Sequence, residues 1–323
     1  MALTIPRARA RASSRTERLP GVDVLACRLL AASVVVLLSP GHAAAKPLVV
    51  AGDGILCDLT RTLAADQATV VCLVPPGTDP HQAVLKPRDR QALAEARLVV
   101  ITGYGLTPAL ERLTRGSAAV LVAERAVPEN PGRDPHLWHD PSQASAMTRV
   151  VETSLLGVLP ASAAAGVKRR SQEARTVWAD LARWTEVQIA TVPAASRVLV
   201  SEHRAFASLA RRFGVRELPL VDAHTTAGVL RPSSLAAMTR AIRASGTRQL
   251  FAESLPPSKT LRRISRDSGV PVNPIPLFAD GLAPGRTAVQ TATGNVCAFV
   301  NGQGGRCDIA GAERLARRWS SIP

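Results

Sequence analysis

KPLVVAGDGILCDLTRTLAADQATVVCLV, residues 46–74, contains the pattern from which the fold class can be predicted. The apolar run at 46–52 ends in glycine and predicts a strand buried on both faces, as in a parallel sheet. Residues 55–65 have the apolar spacing of a helix, and 69–74 form another short apolar run. A strand, a helix and a second strand in this order are typical of a βαβ unit, so we predict an α/β fold with mainly parallel sheets.

Two consecutive helical segments, at 141–158 and 161–191, interrupt this alternation once. The remaining predicted strands lie at 98–102, 119–123, 197–201, 217–221 and 249–252, with an extended piece at 270–276. The remaining predicted helices lie at 87–95, 108–114, 205–213, 233–244, 258–268 and 310–319. We therefore predict an N-terminal α/β lobe at 46–160 and a C-terminal α/β lobe at 192–323, joined by one long rigid helix at 161–191.

The composition is that of a globular protein with a basic surface. The chain has 323 residues, of which 46% are hydrophobic, and a formal net charge of +15. These values exclude a disordered chain and a collagen, and the absence of long apolar stretches excludes a multispan membrane protein. The arginines are spread along the sequence without an aromatic-studded basic segment, so we expect no nucleic-acid partner.

Residues 1–45 have the features of a secretory signal peptide. Six arginines precede an apolar block at 29–38, which is followed by Pro40, Gly41 and three alanines. This order predicts cleavage after Ala45 and export to the periplasm. Cys27 lies before the apolar block, whereas a lipid-attachment cysteine follows one, so we do not expect a lipoprotein.

Four cysteines remain beyond residue 45, and an even number in an oxidising compartment favours disulfides. Cys297 and Cys307 flank a short glycine-rich segment and are predicted to pair. Cys57 and Cys72 lie near the first two predicted strands and form the second candidate pair.

Three histidines lie where parallel strands end. His81 follows the second strand, His136 the fourth, and His203 the first strand of the C-terminal lobe. The loops at the carboxyl ends of parallel strands form the binding crevice of such folds. Asp280 lies at a comparable place in the C-terminal lobe. Three imidazoles and a carboxylate converging there would form a metal site, although each of these residues alone is ordinary.

Several motifs resemble one known family. These are VPPGTDPH at 74–81, DPHLWHDP at 134–141, SEHRAF at 201–206, FAE at 251–253 and FAD at 278–280. They are similar, in the same order, to the motifs of the zinc/manganese solute-binding proteins of bacterial ABC importers (ZnuA- and TroA-like). The resemblance covers nearly all of residues 46–282. It implies two α/β lobes bridged by a rigid helix.

The resemblance implies His81, His136, His203 and Asp280 as the metal ligands. Glu253 matches a family acid and is the runner-up to Asp280. His139 replaces an apolar residue of the family motif, which leaves open a supporting role or a role as an alternative donor. His224 lies in none of these motifs, so the resemblance implies no role for it.

Zinc is the expected metal, because three nitrogens and one oxygen suit Zn²⁺ better than Mn²⁺. Residues 122–134 contain no histidine, so the chain lacks the histidine-rich loop of many zinc-specific relatives. Manganese or iron remains the alternative ion.

The predicted function is therefore the periplasmic capture of Zn²⁺ and its delivery to an ABC permease and its ATPase, by a monomer. A surface adhesin and a secreted metallohydrolase are the alternatives. The sequence contains neither HExxH nor GxSxG, and we expect no enzyme activity.

Overall fold

The strands of the N-terminal half form one parallel sheet. The structure, a computed structural model, describes residues 45–115, 118–225 and 232–323. Its first sheet has the order β2-β1-β3-β4, and every neighbouring pair is parallel. The four strands are β1 (Leu48–Ala51), β2 (Thr69–Cys72), β3 (Leu98–Ile101) and β4 (Val120–Leu121). This arrangement confirms the predicted fold class.

The C-terminal half contains a smaller parallel sheet. It consists of β5 (Val198–His203) and β6 (Arg216–Val221), which pair along their length. One isolated parallel bridge joins Leu250 to Val272. The predicted strand at 249–252 is thus reduced to a single bridge.

Eleven α-helices lie within the described residues, and short 3₁₀ turns connect several of them. The helices are α1 (Gly54–Ala64), α2 (Pro87–Glu95), α3 (Pro108–Thr114), α4 (Val122–Ala126), α5 (Pro141–Leu156), α6 (Ala164–Ala190), α7 (Ala207–Phe213), α8 (Pro232–Arg243), α9 (Lys259–Ser268), α10 (Ala288–Gly302) and α11 (Ile309–Ser320). Among these residues, no helix has both the length and the apolarity needed to cross a membrane.

Both sheets are covered on both faces, which explains why the strands of the first sheet are almost entirely apolar and why β5 begins with three apolar residues. In β1, Val49 packs into a large hydrophobic cluster with α1, α5 and α6, whereas its neighbour Val50 packs on the opposite face. In β5, Leu199 and Val200 likewise belong to different clusters. This alternation follows from the two-residue period of a strand.

The long helix α6 contributes to the clusters of both halves. Its 27 residues span about 40 Å at 1.5 Å per residue. Val167, Trp178 and Leu181 pack in the cluster beside the first sheet, and Ile189 packs in a cluster beside β5. The Trp178 ring also meets that of Trp319 in α11, with centroids 4.9 Å apart. The lobe boundaries predicted from sequence stay a prediction.

Two further sequence predictions differ from the structure. The strand predicted at 119–123 is only two residues long, because the chain turns into α4 at Val122. A short apolar run does not distinguish a strand from a buried helix. Helix α10 was not predicted at all.

Two disulfides join the cysteine pairs named above. Cys57 in α1 is bonded to Cys72 in β2, with Cα atoms 5.5 Å apart. Cys297 in α10 is bonded to Cys307, with Cα atoms 5.2 Å apart. The predicted signal peptide lies, apart from Ala45, outside the described residues.

Candidate metal centre

The loop that carries His81 is held by a hydrogen bond within the loop and by another to the segment that contains Asp280. The Asp79 carboxylate accepts the His81 backbone N–H at 2.8 Å, which caps a short 3₁₀ turn at Pro80–Gln82. Upstream, the backbone N–H of Gly77 donates to the carbonyl of Leu282 at 2.9 Å. Gly77 has φ of +75°, a conformation that glycine adopts without strain. The His81 loop is therefore tied to the segment that contains Asp280.

The ring of His136 is oriented by Asp134. One carboxylate oxygen of Asp134 accepts both the backbone N–H and the ring Nδ1–H of His136, each at 2.9 Å. Because an ionised carboxylate only accepts, Nδ1 carries a proton, and Nε2, on the side of the ring away from Asp134, is the nitrogen left for an ion. Both His136 and Asp134 are fully buried. Asp134 belongs to the motif at 134–141, but no role was predicted for it from sequence.

Glu253 orients the ring of His203 in the same way. His203 is the last residue of β5, and its Nδ1 lies 2.6 Å from Glu253 Oε2. The other oxygen of Glu253 accepts the backbone N–H groups of Glu202 and His203, at 2.9 and 3.1 Å. Glu253 therefore contacts Nδ1 of His203, whereas Nε2 of the same ring lies near Asp280.

The three imidazoles meet at Asp280. Nε2 of His81, His136 and His203 lies 3.3, 3.0 and 3.1 Å, respectively, from Asp280 Oδ1. The Nε2 atoms of His81 and His136 are 3.3 Å apart. One donor atom from each residue lies within 4.8 Å of all the others, which is compatible with binding a single ion. We call these four residues the His₃Asp cluster.

The His₃Asp cluster attracts positive charge. Burial disfavours the protonated form of His203, but hydrogen bonds to Asp280 and Glu253 outweigh it and raise its pKa to about 11. Burial also disfavours the protonated form of His136, but hydrogen bonds to Asp134 and Asp280 outweigh it and raise the His136 pKa. For Asp280, burial opposes ionisation, yet hydrogen bonds from the imidazoles hold its pKa well below the usual range. Protons and metal cations would therefore compete for the same nitrogens.

His139 and His224 lie outside the His₃Asp cluster. His139 Nε2 donates to the carbonyl of Ala279 at 2.8 Å, and burial lowers the His139 pKa to about 4. His224 Nδ1 lies 2.8 Å from the carbonyl of Arg204 and 3.3 Å from Asp134. His224 therefore lies behind the carboxylate that orients His136. Asp134, His136 and His224 also form a compact group of potential donors.

A cavity of about 790 Å³ opens beside the cluster and includes His203 and Asp280 in its wall. The wall also contains carboxylates but no lysine or arginine among the described residues. The carboxylates belong to Asp79, Glu202, Glu253 and Asp280. In a chain with a formal net charge of +15, this local reversal of sign favours the approach of a cation.

Comparison with known proteins shows which class of protein this chain resembles. The chain is 25% identical over 266 residues to the “Manganese-binding lipoprotein MntA” of Halalkalibacterium halodurans, covering 79% of this chain and 87% of that protein. It is 26% identical over 266 residues to the “Zinc-binding protein TroA” of Treponema pallidum, covering 78% and 85%. The fold is similar to that of Fe(III)-bound YtgA from Chlamydia trachomatis, with a TM-score of 0.74 at 20% identity, covering 80% of this chain and 98% of that one.

The class is that of metal-binding substrate-binding proteins of ABC importers, and not that of enzymes. The chain belongs to the family described as “Zinc-uptake complex component A periplasmic”, which matches residues 49–302. Family membership removes the metallohydrolase alternative. The expectation that the chain is not a lipoprotein gains no support, since one relative is named a lipoprotein and Cys27 lies outside the described residues.

Proposed function

We propose that this protein binds one Zn²⁺ through His81, His136, His203 and Asp280. The observation that carries the proposal is the spacing of the donor atoms. Zinc–nitrogen bonds are about 2.0 Å long, so a tetrahedral zinc site has donor atoms about 3.3 Å apart. The distances between His81, His136 and Asp280, and from His203 to Asp280, are 3.0 to 3.3 Å.

The chemistry of the donors supports zinc among the ions of this class. Imidazole nitrogen suits zinc, whereas manganese prefers oxygen ligands. The carboxylates on Nδ1 of His136 and His203 keep the Nε2 lone pairs directed at the ion, an arrangement common at zinc sites. Zn²⁺ is here the transported substrate.

Elemental analysis of protein purified from its own periplasm is the first test. We expect zinc at one ion per chain, and His203→Ala or Asp280→Ala to weaken zinc binding by at least about 100-fold, since each removes a ligand. Glu152→Gln, far along α5, is the matched control. Zinc binding that survives both ligand substitutions would disprove the site.

Manganese or iron is the alternative substrate, favoured by the names of the manganese- and iron-binding proteins to which the chain is similar. Full occupancy by manganese or iron without zinc would support it. That outcome would overturn the zinc assignment while leaving the importer class intact.

Delivery to the permease is the second half of the proposal. The protein acts as a monomer in the periplasm and passes its ion to a membrane permease that is powered by an ATPase. Deleting the gene should slow growth in zinc-depleted medium, and excess zinc should restore it. A growth defect that manganese alone corrects would favour the alternative ion.

A further inference from the structure

His139 makes a contact that its position in the sequence did not predict. Its Nε2 lies 2.8 Å from the carbonyl oxygen of Ala279, the residue directly before Asp280. A carbonyl oxygen only accepts hydrogen bonds, so Nε2 carries the proton and donates it. The ring of His139 also packs on that of Phe206, with centroids 4.4 Å apart. His139 is 6% exposed, so water does not readily replace these contacts.

These contacts join three of the segments that form the His₃Asp cluster. His139 ends the 3₁₀ turn Leu137–His139, which begins directly after His136. Phe206 is three residues beyond His203, and Ala279 adjoins Asp280. One side chain thus fixes the segment of one ligand against the segments of two others.

Other groups anchor the two residues before Ala279: the backbone N–H of Leu277 donates to the carbonyl of Ala252 at 2.8 Å. Asn295 of α10 accepts the N–H of Phe278 and donates to its carbonyl, both at 2.9 Å. The next residue, Ala279, is fixed through its carbonyl by His139. Within the described residues, the polar contacts of the Asp280 carboxylate are with Nε2 of the three histidines alone, the nitrogens that an ion would occupy. The direction of that carboxylate therefore depends on the backbone that carries it.

We infer that His139 is a positioning residue, which holds Asp280 at bonding distance from an ion shared with the three histidines. The inference rests on the proposed function. Without the hydrogen bond, the Ala279 carbonyl is free to turn, and the Asp280 carboxylate turns with it. Outer groups that orient ligands typically contribute about 10- to 100-fold to metal affinity.

Zinc competition with a chromophoric chelator, on the full mature chain, tests this inference. His139→Leu removes the donor at similar volume, and we expect a 10- to 100-fold loss of zinc affinity. His139→Gln places an amide N–H near the former Nε2 and should recover most of that loss. Thr148→Val removes a buried hydrogen bond between α5 and α6 and should leave affinity unchanged. If the leucine variant does not fold, His139→Met serves in its place.

The same zinc competition on Asp280→Ala, with and without His139→Leu, distinguishes a failure of the positioning role from a failure of the metal site. If His139 acts through Asp280, adding His139→Leu to Asp280→Ala costs little more than Asp280→Ala alone. Full additivity of the two losses, or equal losses in His139→Leu and His139→Gln, would overturn the positioning role. Unchanged affinity in His139→Leu would do the same, while a large loss in Asp280→Ala would still support the metal site. Unchanged affinity in Asp280→Ala would disprove the site itself.

Discussion

Glu253 is the side chain that fixes the ring of His203, through the 2.6 Å contact to Nδ1 and two backbone N–H groups. Glu253→Gln keeps the shape but replaces a charged acceptor with a weaker neutral one. We expect zinc affinity to fall by about 10- to 100-fold, measured by chelator competition. Glu95→Gln makes the same exchange on the exposed surface of α2 and should have no effect. Equal zinc affinity of Glu253→Gln and Glu95→Gln would contradict the role of Glu253.

The pKa of His139, which burial lowers to about 4, predicts a pH dependence of stability. Unfolded, the ring titrates near 6.5, so between these values the unfolded chain binds more protons than the folded one. The stability that comes from keeping the ring neutral is present above pH 6.5 and is lost as pH falls towards 4. Over that interval the loss is about 3 kcal/mol.

Urea unfolding of the chelated protein, with His139→Leu as reference, measures this effect. Leucine does not titrate, so the difference in unfolding free energy between wild type and variant isolates His139. Wild type should lose stability relative to the variant between pH 7 and pH 4. A difference that stays constant over this range would show that the ring is not buried in its neutral form.

At the scale of residues, the four ligands predicted from sequence lie together in the structure, and Glu253 and His139 were named without the contacts by which they orient the site. His81 and His136 follow Asp-Pro in the same three-residue motif, and in both the aspartate accepts the histidine N–H. That local pattern is readable from sequence. The contact of His139 with Ala279 spans 140 positions and depends on how the two halves pack, so no local pattern encodes it.

Asp58 links three helices. From α1, its carboxylate accepts the backbone N–H of Ala288 at the start of α10, at 2.8 Å, and the indole N–H of Trp319 in α11, at 3.0 Å. Asp58→Ala leaves both donors without this acceptor. We expect the free energy of unfolding to fall by about 2 to 4 kcal/mol, measured by chemical denaturation. Asp66→Ala, at an exposed site just beyond α1, should cost far less.

At the scale of elements, helix α10 is the main element that was not predicted from sequence. Its sequence, AVQTATGNVCAFVNG, contains β-branched residues and glycines that are poor helix formers. Packing stabilises it instead, since most of its side chains are buried. One local signal was available: Thr287 and Gln290 form a capping box, which marks a helix start. By contrast, α2 and α3 begin at prolines and were predicted with the bounds that the structure has.

At the scale of the whole molecule, α6 is expected to limit domain motion. Its side chains are buried in the hydrophobic clusters of both halves, so a wide hinge opening would break that packing. We expect small-angle scattering to give the same radius of gyration for the chelated and the zinc-loaded protein. A clear contraction on zinc binding would contradict this expectation and would require a hinge within or beside α6.

The overall architecture was predictable because the apolar runs and the helical spacing repeat along the chain. The position of one sheet relative to the other was not, since it depends on contacts such as the hydrogen bond from the Ser208 hydroxyl in α7 to the carbonyl of His136. These contacts bring together residues distant in sequence, and their geometry follows from packing rather than from periodicity.

His81 differs from the other two histidines of the cluster in its second nitrogen. Carboxylates hold Nδ1 of His136 and His203, but the buried Nδ1 of His81 has no hydrogen-bond partner among the described residues. The His81 ring can therefore turn without breaking such a bond. Ligand substitution should then begin at His81, with an incoming donor of the acceptor protein replacing this imidazole first. Transfer by such associative exchange would never require a free aqueous ion.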